Sequence, residues 1–371
     1  MCRGADAPAC PDTRRSALRG VAPVAEHDGP ASPLARDTCE RMVEEVEASW
    51  DLDSVTTADT GFNDVYFLTV ETPAGARECV LKVSDDTAEQ VRAEARLCGL
   101  LDDATDVPVP TVHGRVDAHS DLPSPYFLME RLEGDHPEGP PGERSLPALE
   151  SLARQLGRHL GDTHAVDAFD AFGWIRARRD VDGTGAGSRP IARRYGLTVA
   201  GATDSWPSHL RDLAEMHLEH HPETRFGDRT SEIRAAIEDG IDRLDCDPRP
   251  VVGRVDHAFE NVLVDDDGDV TGVLDWGMLR TVAPAYDLAC AEMSLTGTAS
   301  FTAERRECLR TALLDGYERR ATVDATDGER RLYCLVNLVA RQNWVSAWIP
   351  GEAAAGVERD HRALLDELLA G

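Results

Sequence analysis

Asp256, Asn261 and Asp275 are the residues of this 371-residue chain whose types and spacing are best suited to chemistry. They fall in the run GRVDHAFENVLVDDDGDVTGVLDWG. Asn261 follows Asp256 by five positions and opens a short apolar strand, Val262 to Val264. A turn over Asp265 to Gly268 leads into a second strand, Val270 to Leu274, which ends on Asp275 and Trp276. A hairpin of this shape puts Asp256 and Asn261 at its entrance and Asp275 at its exit, on one rim. Two oxygen ligands converging there suit Mg2+, which binds through one or two protein groups together with phosphate oxygens and water. The remaining carboxylate is then free to face an attacking hydroxyl. Phosphoryl transfer asks the protein for this kind of positioning and charge neutralisation.

The same reaction needs a cation on the phosphates that are not transferred. Lys82, in CVLKVS, is the candidate, and it is the single lysine of the sequence. A chain that uses arginine everywhere else keeps lysine here, where a compact ammonium fits a phosphate site better than a planar guanidinium. A desolvated ammonium needs a counter-charge. Glu94, in RAEARL, lies between Val91 and Cys98 on the inward stripe of the following helix and can supply it, with Glu89 as the alternative.

The elements that must carry these groups can be read from periodicity. Residues 37 to 49 have helical spacing. The segments TGFNDVYFLTVE and GARECVLKVSDD read as two strands joined at Thr72 to Gly75. Residues 87 to 101 form a helix with Val91, Ala95, Cys98 and Leu101 on one stripe, and SPYFLMERLEGD reads as a further strand. From Ser145 onward the pattern turns helical, with helices over Leu146 to His164, Trp206 to Glu219 and Thr230 to Leu244, and more after the hairpin region at 250 to 276. The expected organisation is a disordered leader over 1–36, a small lobe over 37–132 and a larger lobe over 133–371, with ligands held in the cleft between the lobes.

This ordered set resembles the aminoglycoside phosphotransferase and choline kinase superfamily. That superfamily combines a strand Lys, a helix Glu, H-G-D-x-x-x-x-N and an I-D-W-like segment. Here the pattern is met by Lys82, Glu94, Asp256, Asn261 and VLDWG at Asp275, followed by APAYDLA, whose Asp287 matches a mainly structural Asp. The resemblance covers roughly residues 55 to 370 and implies an α+β, protein-kinase-like two-lobed fold, with a small antiparallel-sheet lobe and a larger, mainly helical one. It implies ATP as phosphate donor, Mg2+, and a small hydroxylated acceptor. Asp256 would orient the acceptor hydroxyl and take its proton. Asn261 and Asp275 would hold Mg2+, and Lys82 would contact the α- and β-phosphates while Glu94 fixes it. Backbone groups around Glu130, Arg131 and Leu132, on the segment linking the lobes, would hold the base, which leaves GTP open as well as ATP. Two departures stand out. Arg254 and Val255 replace the His-Gly before Asp256, and the phosphate-covering loop retains only Gly61. An arginine at 254 would be expected to seek a carboxylate such as Asp275 or Asp287 and so disturb the metal site. That leaves a second expectation, a degenerate kinase-like nucleotide-binding or regulatory protein without turnover. A protein kinase proper is disfavoured, since no D-F-G or A-P-E segment occurs.

Composition bounds the partners. With 39 basic against 68 acidic residues the net charge is −29, which repels nucleic acid and anionic membranes; an acidic larger lobe would favour a cationic acceptor. Acidity dispersed along the chain, with lysine nearly absent, points to a salt-rich cytoplasm such as that of a halophilic archaeon. The nine cysteines include no C-x-x-C pair and read as reduced structural thiols in the cytoplasm. The Asp265 to Asp269 cluster reads as a hairpin turn and not a calcium loop, because its glycine is misplaced. His217, His220 and His221 read as a solvated helix face, and Arg193 and Arg194, with Arg176, Arg178 and Arg179 nearby, as a solvated basic patch, with anion binding the alternative. Oligomeric state is not legible.

Overall fold

A computed structural model describes residues 33–58, 64–84, 87–137, 144–178, 187–296, 301–349 and 351–370. Most of the expected leader, and the loop carrying Gly61, lie outside the described residues. The amino-terminal part is built on a five-stranded antiparallel sheet of order β1-β2-β3-β5-β4. Its strands are β1 (Asp51–Thr57), β2 (Asp64–Thr72), β3 (Gly75–Val83), β4 (Val112–Val116) and β5 (Tyr126–Glu130). The β2–β3 hairpin closes with Thr72 opposite Gly75, where a φ of 118° requires glycine.

The sheet has helices on both faces, which is why the end of β3 is buried throughout. Cys79, Leu81 and Val83 pack toward helix α1 (Arg36–Val46), whose Cys39, Met42 and Val43 point inward. The alternate residues Val80 and Lys82 face helix α2 (Ala88–Ala104). There Phe127, paired with Lys82, packs on Val91 and Ala95.

The carboxy-terminal part is mainly helical. It comprises α3 (Leu146–Ala165), the short α4 (Pro190–Arg194), α5 (Trp206–His220), α6 (Thr230–Asp242), α7 (Pro284–Thr296), α8 (Ala303–Tyr317), α9 (Asp327–Trp348) and α10 (Gly351–Leu369). Ser145, Ser205, Thr302 and Thr326 cap α3, α5, α8 and α9, and Thr326 with Glu329 forms a capping box. Helices α3 and α8 cross at contact distance because each presents glycine to the other. A Cβ on Gly157 would run into the Leu313 carbonyl, and one on Gly316 into the Arg154 carbonyl.

Two small sheets interrupt the helices. The expected hairpin is present as β9 (Val262–Val264) and β10 (Val270–Val273), its turn organised by Asp265 Oδ1, which accepts from the N–H groups of Asp267 and Asp269 at 3.0 and 2.9 Å. The other sheet was not expected. It is four-stranded and antiparallel, of order β7-β6-β11-β8, from β6 (Phe172–Ala177), β7 (Leu197–Thr203), β8 (Val251–Gly253) and β11 (Arg280–Val282). It ties the segment before Asp256 to the segment after Asp275 and fixes both ends of the loop region between them.

Candidate active site

Lys82 is 5% exposed and Glu94 3% exposed, and the ammonium lies 2.9 and 2.7 Å from the two carboxylate oxygens. The alternative partner, Glu89, pairs instead with Arg92 at 2.9 Å. Lys82 also reaches Asp275 Oδ1 at 3.2 Å, joining the sheet and α2 to a residue 193 positions away. Glu94 Oε1 accepts the Trp276 N–H at 3.3 Å, which pins α2 to the same segment. Burial alone would pull the Lys82 ammonium down, but the Glu94 and Asp275 carboxylates outweigh it and hold the group above the ordinary lysine value. Burial raises the Glu94 carboxyl, and the Lys82 ammonium and the Trp276 N–H offset this only in part. The Lys82 charge, in turn, holds the half-exposed Asp275 carboxyl below its usual range.

Asp256 sits on a tight turn beyond β8. Its N–H donates back to the Arg254 carbonyl at 2.6 Å, closing a three-residue turn around Val255, whose φ is 62°. A β-branched residue in the left-handed region is strained, and only firm anchoring keeps it there. Asp287 supplies the anchor. This fully buried carboxylate accepts the N–H groups of Arg254 and Val255 at 2.8 Å each, together with His257 Nε2 at 2.9 Å and His164 Nε2 at 3.2 Å. Burial would raise its carboxyl, but His257 and His164 hold it far below the usual carboxylate range. His164 Nδ1 is in turn 2.9 Å from the Tyr317 hydroxyl on α8.

Asp256 and Asn261 meet directly. The Asn261 amide nitrogen donates to Asp256 Oδ2 at 3.1 Å, while Asp256 Oδ1 accepts the Ala258 N–H at 3.1 Å. Asn261 and Asp275 are brought onto one rim by the bond from the Leu274 N–H to the Asn261 carbonyl, 2.8 Å. Asp275 takes a φ of 54°, which an Asp side chain tolerates. With the Asn261 nitrogen committed to Asp256, its amide oxygen and the Asp275 carboxylate form a donor set of hard oxygens, the chemistry that Mg2+ selects.

Arg254 does not take a carboxylate, contrary to expectation. Its guanidinium reaches the carbonyls of Asn261 at 2.9 Å and Leu274 at 3.4 Å and lies over the Trp276 ring at 5.7 Å, so it staples the two ends of the hairpin together. It makes no bond to the side-chain oxygens of Asp275 or Asn261. At the end of β5 and just beyond it, the N–H groups of Glu130 and Arg131 are already taken by the carbonyls of Thr111 and Glu78, at 2.9 and 3.2 Å. Among the described residues, the N–H of Leu132 has no such partner.

Sequence reasoning missed His164, His257 and Tyr317. His257 was readable in principle, because it follows Asp256 directly within a motif whose usual histidine is replaced. The histidine face on α5 is corrected as well. His217 is 8% exposed and His221 fully buried, the latter held by Thr230 Oγ1 at 2.7 Å and Gln342 Oε1 at 2.8 Å, because α9 covers that side of α5.

Comparison with known proteins places this arrangement. Residues 57–332 match the model of the phosphotransferase enzyme family. The chain belongs to that family. A curated relative, clavilactone A biosynthesis cluster protein Y of Ampulloclitocybe clavipes, is 27% identical over 237 residues, which is 56% of this chain and about half (55%) of the relative. Among solved structures, a Ralstonia eutropha protein provisionally assigned as an aminoglycoside phosphotransferase aligns over 91% of this chain and 97% of its own, with a TM-score of 0.63 and 15% identity. A macrolide 2'-phosphotransferase of Brachybacterium faecium aligns over 90% and 98%, with a TM-score of 0.55 and 19% identity. A thermostable mutant of an aminoglycoside phosphotransferase, in a ternary complex with ADP and hygromycin B, aligns over 89% and 98%, at 0.58 and 16%. At these identities the structures show that this family member has the kinase-like α+β fold of those enzymes.

Proposed function

We propose that this family member moves the γ-phosphate of ATP to a hydroxyl of a small molecule. The observation that carries the reading is the convergence of Lys82, Glu94 and Asp275 with Asp256 and Asn261 on the rim of one hairpin. The ADP-bound relative of the same fold supports nucleotide as the donor. Lys82, oriented by Glu94, is the cation for the phosphates that stay on the nucleotide. Asn261 and Asp275 are the groups that would hold Mg2+, which when bound neutralises charge on the phosphate oxygens. Asp256, fixed by the Ala258 N–H and the Asn261 amide, orients the acceptor hydroxyl and takes its proton as the new P–O bond forms and ADP leaves. The segment Glu130, Arg131 and Leu132 would receive the base, with the Leu132 N–H as the donor left over from the sheet. A protein without turnover would be the alternative had Arg254 seized a metal ligand. Its use of carbonyls favours the active reading.

Asp256→Asn keeps the shape and removes the base. Transfer to an accepted alcohol should fall about 10^2- to 10^4-fold while ATP affinity stays within about threefold, measured by ADP release and calorimetry. Equal loss of binding and turnover would remove Asp256 from the assigned role.

A further inference from the structure

Arg254 and His257 flank Asp256 in the chain, and both are buried, each 5% exposed. Their side chains face each other, with Arg254 Nη1 3.5 Å from His257 Nδ1. The Asp287 carboxylate can only accept, so His257 Nε2, 2.9 Å from Asp287 Oδ1, carries the hydrogen. That leaves Nδ1 as an acceptor, and the guanidinium is the donor that faces it. The other terminal nitrogen, Nη2, has two hydrogens and two acceptors, the carbonyls of Asn261 at 2.9 Å and Leu274 at 3.4 Å. Leu274 is the residue before Asp275. A continuous set of polar contacts therefore runs from Asp287 through His257 and Arg254 to the backbone beside both candidate metal ligands. The guanidinium also lies over Trp276 at 5.7 Å, and the Trp276 N–H donates to Glu94, the partner of Lys82.

The backbone of Arg254 belongs to the turn that aims Asp256. Its N–H donates to Asp287 Oδ2 at 2.8 Å, and its carbonyl accepts the Asp256 N–H at 2.6 Å. One residue thus joins the base, through its backbone, to both metal-ligand segments, through its side chain. Spacing of this kind matters to the reaction, since displacing a reacting group by about 1 Å can cost about 100-fold in rate. A guanidinium suits the task because its planar fork fixes the directions of its donors, whereas an ammonium is a point charge. We propose that Arg254 and His257 form one paired positioning unit, which takes the place of the usual histidine before Asp256 and holds Asp256 at a fixed distance from Asn261 and Asp275. The inference rests on the phosphotransferase reading of Asp256. It makes the order Arg254, Val255, Asp256, His257 a rearranged brace and not a lesion. A histidine at position 254 alone would leave the Asn261 and Leu274 carbonyls without the guanidinium donor.

The test uses the intact protein and a cycle of Arg254→Met, His257→Leu and the double variant, followed by ADP release from MgATP with water as acceptor and by ATP calorimetry without Mg2+. Each single substitution should lower the maximal rate about tenfold or more and leave ATP affinity within about threefold. The double variant should lose little more than the worse single one, whereas additive losses would mean two independent residues and overturn the pairing. Arg254→Lys should recover only a small part of the loss, and full recovery would show that charge alone is needed. Restoring the usual pair with Arg254→His and Val255→Gly should leave the rate below that of the wild type, and a gain would mark Arg254 as a lesion. Nitrogen NMR of the His257 ring supplies a readout that does not depend on turnover. The wild type should carry hydrogen on Nε2 and none on Nδ1, and the Nδ1 resonance should move in Arg254→Met. Hydrogen on Nδ1, or an unmoved resonance, would overturn the inference. If Arg254→Met does not fold, Arg254→Lys and the wild-type ring pattern carry the test. A folded wild type that binds no ATP would instead sink the phosphotransferase reading, and the NMR would still decide the pairing.

Discussion

At the scale of single residues, Asp287 fixes the loop that carries Asp256. Its carboxylate gathers two backbone N–H groups and two histidines in a fully buried position, and so holds Val255 in a left-handed turn that aims Asp256. Strain of that kind costs about 1–3 kcal/mol and is held by the surrounding bonds. Val255→Gly should therefore be nearly neutral or stabilising, because relief of strain offsets the lost side chain. Val252→Gly, in the middle of β8 and fully buried, should cost roughly 3 kcal/mol. Denaturant unfolding of both variants checks the contrast, and equal costs would mean that Val255 carries no strain. The pattern H-G-D explains why this was hard to read in sequence. His257 on the other side of Asp256 reaches Asp287, so the brace is present though the usual histidine is not.

At the scale of elements, the crossing of α3 and α8 carries His164 and Tyr317 to that same carboxylate, and glycines at the crossing set its closeness. In an exposed helix Gly→Ala is favourable by about 1 kcal/mol. Gly157→Ala should instead cost about 1–3 kcal/mol, since the new Cβ meets the Leu313 carbonyl and the helices must part. Thermal unfolding of this variant beside Gly328→Ala, which has room near the start of α9, makes the comparison, and similar effects at both sites would contradict it. Much at this level was legible. The alternation in β3 and the stripe of α2 put Lys82 opposite Glu94, and the turn residues gave the β9–β10 hairpin, because these signals are local. The four-stranded sheet was not, because β8 and β11 are three residues each and their pairings, such as Arg280 with Trp174 and with Gly253, join distant parts of the chain. The histidines of α5 were misread for a related reason. Their burial is imposed by α9, which nothing in the α5 sequence announces.

At the scale of the whole molecule, buried titratable groups govern how stability responds to pH. No helix among the described residues is long and apolar enough to cross a membrane. Burial pulls His209 down to about 4, His217 to about 3 and His361 to about 4, with the Arg280 or Arg341 charge adding to the effect. Each is depressed below the unfolded value near 6.5, so the unfolded chain binds more protons between those limits. The stabilisation is present above about pH 6.5 and is lost as the pH falls toward the folded values, with a combined slope of up to roughly 4 kcal/mol per pH unit. Urea unfolding at pH 7 and pH 5 should show a marked loss at the lower pH, and a flat profile would mean that these histidines are solvated. The central claim, a metal-assisted nucleotide site built from Lys82, Asn261 and Asp275, is tested most directly by calorimetric titration of ATP into the protein in concentrated KCl, with and without Mg2+. Saturable ATP binding that tightens when Mg2+ is present is the expected result. A folded protein that binds no ATP, or binds it identically with and without the metal, would contradict it.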